Sequence, residues 1–198
     1  MTLLRPAVFA VAGLFAASQA YAQPVAEVAP PEPPAVGESA PTVTLTSTAG
    51  EQVDLAETFA GGKTVLVVLR GYPGYQCPAC SAQTADLIRS ANDFADAGVA
   101  VVVVYPGQQK GLEGHAEEFL TATMAKINET ELPGGVTLLL DPDYELVNAY
   151  GLRWMAPNET AYPATFVIAK GGEITFAEVS NTHGGRVAAK KALEAAKE

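Results

Sequence analysis

From residue 42 onward the apolar positions alternate between two periods. Lys63 to Leu69 reads Lys-Thr-Val-Leu-Val-Val-Leu, almost uninterrupted apolar and β-branched chain, the pattern of a strand buried on both faces. Val99–Val104 repeats it, Val136–Leu140 gives a third such run, and Val43–Leu45 is a short strand ahead of them. Between these runs the apolar residues fall at helical spacing, first at Leu87, Ile88, Ala91, Phe94 and Ala95, then at Leu112, Ala116, Phe119, Leu120 and Ile127. Gly98 stands where the first of these helices ends. Asp141-Pro142 reads as an N-cap followed by proline at the first position of a short helix reaching about Ala149. Ala164–Ala169 and Glu173–Phe176 form a hairpin around Lys170-Gly171-Gly172, because Gly-Gly supplies the positive φ that a tight turn needs. A closing helix begins near Arg186, with Ala189, Ala192, Leu193 and Ala196 on one face. The order from Thr64 is β-α-β-α-β-α-β-β-α, which predicts an α/β fold with a central, mostly parallel sheet flanked by helices.

The segments before residue 42 have a different character. Arg5, the apolar run Ala7–Ala17 and the small residues of Ala20-Tyr21-Ala22 make residues 1–22 a signal peptide, too short in its apolar part for the roughly 20 residues of a spanning helix. Residues 23–41 hold six of the chain's 14 prolines among Ala and Glu, which predicts a disordered linker. The domain expected to fold is residues 42–198.

Charge narrows the partners. The chain carries a formal charge of −10, which becomes −11 once Arg5 leaves with the leader. Such a chain repels phosphate backbones and anionic lipid, so no nucleic acid and no membrane surface is expected as a partner.

Cysteine usage changes the picture most. Cys77 and Cys80 are the two cysteines of the chain. A structural staple gains from closing a long loop, and this pair closes almost none. With His115 and His183 as the two histidines, a four-ligand zinc site is also disfavoured. A redox role remains. Cys77 stands where a buried strand turns into a helix, so the unpaired N–H groups and positive dipole of the first turn favour its thiolate. Pro78 suits that turn because it brings no N–H to leave unpaired. Cys80, one turn along, is then the resolving thiol.

Three segments carry a family resemblance: Arg70-Gly71-Tyr72-Pro73-Gly74-Tyr75-Gln76-Cys77-Pro78-Ala79-Cys80, Asp141-Pro142-Asp143 leading to Tyr150-Gly151-Leu152, and Tyr162-Pro163-Ala164-Thr165-Phe166-Val167-Ile168. Together they resemble the thioredoxin-fold redoxins, in the branch joining peroxiredoxin-like (AhpC/TSA) proteins to periplasmic thiol–disulfide reductases. The resemblance spans about Thr42 to Lys197. It implies a thioredoxin-like fold with an extra α-β-α insertion. It also implies a cis proline at Pro163, beside Tyr162 and against the cysteine pair, where an extended substrate peptide would bind. The chain departs from both sub-families. Gly74 stands where peroxiredoxins carry a Thr or Ser hydroxyl, Pro163 where they carry an arginine, and Gly71 where thioredoxins carry a buried Asp. Arg70 or Arg153 can replace the missing donor only if the fold brings one of them to Cys77. Tyr72, Tyr75, a carboxylate from elsewhere or water are the candidates for accepting the Cys80 proton.

Trp154, the sole tryptophan, lines a substrate groove or covers the core edge. His183 reads as a loop residue, with a metal-ligand or acid–base role as the alternative, and His115 as a surface residue. The expected function is thiol–disulfide exchange in the periplasm, without a cofactor, on a protein or small-thiol disulfide and with a separate electron donor. A peroxiredoxin-like thiol peroxidase is the alternative. A copper-handling protein using Cys77, Cys80 and His183 is a third reading.

Overall fold

Val65 to Leu69 and Val101 to Val104 lie side by side near the centre of a seven-stranded sheet. The computed structural model describes residues 32–198. In chain order the elements are β1 (Thr44–Ser47), β2 (Gln52–Asp54), α1 (Leu55–Gly61), β3 (Lys63–Val68), α2 (Pro78–Arg89), α3 (Ala91–Asp96), β4 (Val99–Gly107), α4 (Leu112–Ala125), β5 (Val136–Pro142), α5 (Glu145–Ala149), β6 (Ala164–Ile168), β7 (Ile174–Val179) and α6 (Ala189–Lys197). Across the sheet they run β2-β1-β5-β4-β3-β6-β7. The insertion implied by the resemblance is α4, β5 and α5, standing between β4 and β6.

The sheet is mixed rather than mostly parallel. β3 pairs with β4 and β4 with β5 in parallel, whereas the β1–β2, β1–β5, β3–β6 and β6–β7 pairings are antiparallel. An apolar run reports burial on both faces but not strand direction. Both faces are in fact covered. Val65, Val67 and Leu69 pack with Leu87, Phe94, Tyr105, Phe119 and Leu193 on one side. Leu66 and Val68 pack with Leu55, Phe59, Leu146, Tyr150 and Phe166 on the other. Each such fully buried aliphatic side chain contributes roughly 1.5–3 kcal/mol.

Several local expectations change. The helix after the cysteines is two helices, broken at Ser90, and Ala95 beyond the break is exposed. β2 and α1 are too short to show a periodicity; Asp54 starts α1 by accepting from Ala56 N at 2.7 Å. α6 begins at Ala189, three residues after Arg186, where Asp86 Oδ2 accepts from its N–H at 2.7 Å. Residues 35–41 are not free linker. Ala40 N donates to Gly172 O and Gly37 N to Ile174 O, both at 2.8 Å, and Ala40 is buried. The signal peptide and residues 23–31 lie outside the described residues. Among those described, no helix is long and apolar enough to cross a membrane.

Asp141 does not sit at the N-cap. It is the penultimate residue of β5, fully buried, and reaches forward so that Oδ1 accepts from Leu146 N at 2.9 Å and Oδ2 from Val147 N at 3.0 Å. Burial pushes its pKa up to about 6, against the opposing effect of the two N–H bonds. A carboxyl whose folded pKa exceeds its unfolded value near 3.8 binds more protons when folded, so its contribution to stability is complete below about 4 and lost as pH rises through about 6. Urea unfolding of Asp141→Asn is expected to show stability lower by about 1–3 kcal/mol, since one N–H loses its acceptor. It should also show a flatter dependence on pH between those limits.

Candidate active site

β3 delivers the chain into the site through Leu69 and Arg70, both buried. The next residue turns sharply. Gly71 has φ 77°, and a Cβ there would run into the carbonyl oxygen of Pro106. The position where thioredoxins hold an acid therefore has no room for any side chain. Tyr72 N donates to Pro106 O at 3.3 Å, which ties the cysteine loop to the end of β4.

Cys77 is the N-cap of α2, with Pro78 in the first turn. The backbone N–H of Cys80 donates to Cys77 Sγ at 3.3 Å. Both cysteines are free; Cys77 is 4% exposed and Cys80 1%. The S–H of Cys80 hydrogen-bonded to Cys77 lowers the Cys77 pKa to about 5, against the effect of burial. The Cys80 N–H and the charges of Arg186 and Arg70 assist. The same bond to Cys77, reinforced by burial, pushes Cys80 well up, so Cys80 stays a protonated donor while Cys77 is a thiolate.

Arg186 is the residue that the sequence did not flag. Its Nη2 lies 3.4 Å from Cys80 Sγ and 3.7 Å from Cys77 Sγ, and its buried Nε has no partner among the described residues. No local pattern marks it, since it stands 109 positions from Cys77 on the loop before α6. Gln83, Pro163, Thr165 and Val187 line a small hollow with it.

Arg70 does not face the sulfurs directly. Its Nε donates to Glu159 Oε2 at 2.5 Å, Nη1 to Tyr75 OH at 2.5 Å and Nη2 to Asn158 O at 2.9 Å. Burial acts to lower the Arg70 pKa, but the bonds to Glu159 and Tyr75 outweigh it and raise it. Glu159 is held below the usual carboxylate range, because Arg70 and His183 outweigh its own desolvation. His183 Nε2 lies 2.7 Å from Glu159 Oε1 with its side chain 60% exposed. His183 is thus joined to Glu159 rather than to the cysteines. Among the described residues no three His, Cys, Asp or Glu side chains are grouped to hold a metal, so the copper reading loses its ligand set.

The remaining candidates spread along one side. Tyr72 packs on the cluster that contains both cysteines and stacks on His115, with centroids 3.5 Å apart. His115 is accordingly half-buried, not a surface residue. Arg153 donates through Nη1 to the carbonyls of Trp154 and Thr160 and lies 3.9 Å over the Tyr144 ring. Trp154 stacks on Tyr162 at 4.7 Å and approaches His183. The Tyr162–Pro163 bond is trans; no cis peptide occurs among the described residues. Pro163 lines the Arg186 hollow.

The Redoxin family model matches residues 35–195. The chain belongs to the Redoxin family. Two Mycobacterium tuberculosis proteins carrying peroxiredoxin names, from strains CDC 1551 / Oshkosh and ATCC 25618 / H37Rv, are each 31% identical to this redoxin over 157 residues. The match covers 77% of this chain and 89% of theirs. Reduced Prx3 from Vibrio vulnificus superposes with a TM-score of 0.64 at 21% identity, over 83% of this chain and 99% of that one. Peroxidoxin BcpB of M. tuberculosis gives 0.58 at 19%, over 81% and 94%. At these identities the structures establish the α/β thioredoxin-like fold. The redoxin is a thiol-dependent oxidoreductase of the AhpC/TSA, peroxiredoxin-like type.

Iodoacetamide is expected to label Cys77 and spare Cys80, with a rate profile whose midpoint lies near pH 5; mass mapping after a short pulse checks both. Glu159→Gln removes the carboxylate charge facing Arg70 but keeps an acceptor oxygen, and is expected to destabilise the redoxin by roughly 1–3 kcal/mol, read from denaturant unfolding.

Proposed function

We propose that this redoxin is a two-cysteine thiol peroxidase. The observation that carries the proposal is Arg186. A peroxidase site needs preorganised donors where negative charge develops on oxygen. Gly74 and Pro163 supply neither hydroxyl nor guanidinium, but Arg186 brings a guanidinium to the sulfurs from another part of the chain, with one N–H still unpaired. The peroxiredoxin names of the relatives support the same reading, as does the shared fold of the Vibrio vulnificus Prx3 solved in complex with hydrogen peroxide. Thiol–disulfide exchange is the leading expectation from the sequence; the peroxiredoxin names of the relatives favour the peroxidase over it.

The chemistry runs in two steps. The Cys77 thiolate attacks one peroxide oxygen and the O–O bond breaks. The departing oxygen leaves as hydroxide or alkoxide and is protonated from solvent by the equivalent of the proton that the Cys77 thiol released, giving water or an alcohol, while Cys77 becomes a sulfenic acid. Arg186 donates to the oxygens as charge moves onto them. The Cys80 thiol then attacks the Cys77 sulfur, a second water leaves, and the Cys77–Cys80 disulfide forms. Two thiols supply the two electrons that the peroxide takes. The leader pattern of residues 1–22 supports, within the same proposal, export of this activity to the periplasm.

Stopped-flow measurement with hydrogen peroxide tests the assignment. Arg186→Met is expected to lower the second-order rate constant by about 10²–10³. It should also move the midpoint of the pH profile upward, because Arg186 helps hold the thiolate. Iodoacetamide alkylation, corrected for thiolate fraction, is expected to be unchanged. A wild-type peroxide rate no higher than that of a free thiolate of the same pKa would return disulfide exchange to the lead.

A further inference from the structure

A second cleft borders the cysteine loop and takes no part in the chemistry above. It has a volume of about 380 Å³. It opens beside Gly107, at the carboxyl end of β4, the edge where open α/β sheets take ligands. One wall is Tyr72, with His115 stacked on it; the other is Tyr144 beneath the Arg153 guanidinium.

The polar groups of this cleft point to an anion. Lys110 is exposed at its rim. Arg153 uses Nη1 on backbone carbonyls, while its Nε and Nη2 have no hydrogen-bond partner among the described residues. Thr160 is 2% exposed, lines the cleft, and its Oγ1 has no partner among the described residues. The one acid in the lining, Glu159, has its two oxygens engaged by Arg70 and His183. Asp143 faces the adjoining open hollow, where it accepts from Gln109 N at 3.0 Å. Two cations and an unpaired hydroxyl, on a chain of net charge −10, suit a small molecule that carries carboxylates.

We propose that this cleft docks the electron donor, and that the donor is a low-molecular-weight thiol bearing at least two carboxylates. The proposal rests on the peroxidase reading only in that Cys77 and Cys80 must become a disulfide. Tyr72 forms a wall of the cleft and also packs on the cluster that holds both sulfurs. With Cys77 and Cys80 at 4% and 1% exposure, the sulfurs admit a small thiol far more readily than one fixed on a folded protein. The donor thiolate attacks Cys77 Sγ, the Cys77–Cys80 bond breaks, and Cys80 leaves as a thiolate that takes a proton. A second donor thiolate attacks the donor sulfur of the mixed disulfide. That step frees Cys77 as a thiolate and releases the donor disulfide, so two donor thiols supply two electrons.

The test uses the full chain oxidised with diamide, so that no peroxide step enters. Mercaptosuccinate and its dimethyl ester are compared as reductants, with rates normalised to thiolate concentration. The diacid is expected to be faster than the ester by about tenfold or more, although the net charge of the chain repels it. Lys110→Glu should remove that advantage and leave the ester rate unchanged, and the isosteric Thr160→Val should reduce it in part. S-methylmercaptosuccinate, which cannot exchange, should inhibit the wild type competitively and Lys110→Glu much less. Equal normalised rates for diacid and ester, or a Lys110→Glu variant that slows both alike, would overturn the proposal. Failure of the peroxidase reading is seen separately, in the reaction of the reduced protein with hydrogen peroxide.

Discussion

A thiolate with almost no exposure to water must be stabilised from within the protein, and the arrangement at Cys77 answers that constraint. Three kinds of group hold the charge. They are the S–H and N–H of Cys80, one helical turn away, the guanidinium of Arg186 from the far end of the chain, and the more distant charge of Arg70. The first is local and comes with the Cys-Pro-Ala-Cys spacing. The second exists only because α6 and the loop before it fold back over α2, held in part by Ala189 N donating to Asp86. The low pKa of Cys77 is therefore as much a property of the tertiary fold as of the motif.

The surroundings of the pair divide into two sides. On one, Arg186, Gln83 and Pro163 form a small hollow that holds the unpaired Arg186 N–H and the carbonyl oxygen of Gln83, with Thr165, Glu178 and Ser180 also in its lining. On the other, Arg70 is held by Glu159, Tyr75 and the Asn158 carbonyl, one bond from each of its three nitrogens. Arg70 thus acts on the thiolate through its charge, while Arg186 reaches both sulfurs with Nη2. This asymmetry makes the absence of a Thr or Ser at Gly74 compatible with peroxide chemistry. It also explains why neither Arg70 nor Arg153, the arginines expected from the sequence, fills that place.

The glycine at position 71 links the motif to the sheet. Its positive φ and its contact with the Pro106 carbonyl set where the cysteine loop leaves β3. A buried carboxylate in the thioredoxin manner is excluded there by space. Cys80 instead donates to Cys77, and that bond together with burial raises its pKa.

The sequence alone determined the central strands, the helix that starts at Cys77, the hairpin at Gly171-Gly172 and the identity of the redox pair. Each of these follows from local chemistry: β-branched runs, a helix N-terminus, positive φ and the reactivity of sulfur. Asp141 was legible as a helix-starting residue, but not as a buried carboxylate that reaches five and six residues forward. Strand direction, the break at Ser90, the trans bond at Pro163 and the pairing of His183 with Glu159 were decided only by the tertiary structure. So was Arg186, because contacts across 109 residues depend on how the last helix packs over the first turns of α2, and a local pattern carries no record of that.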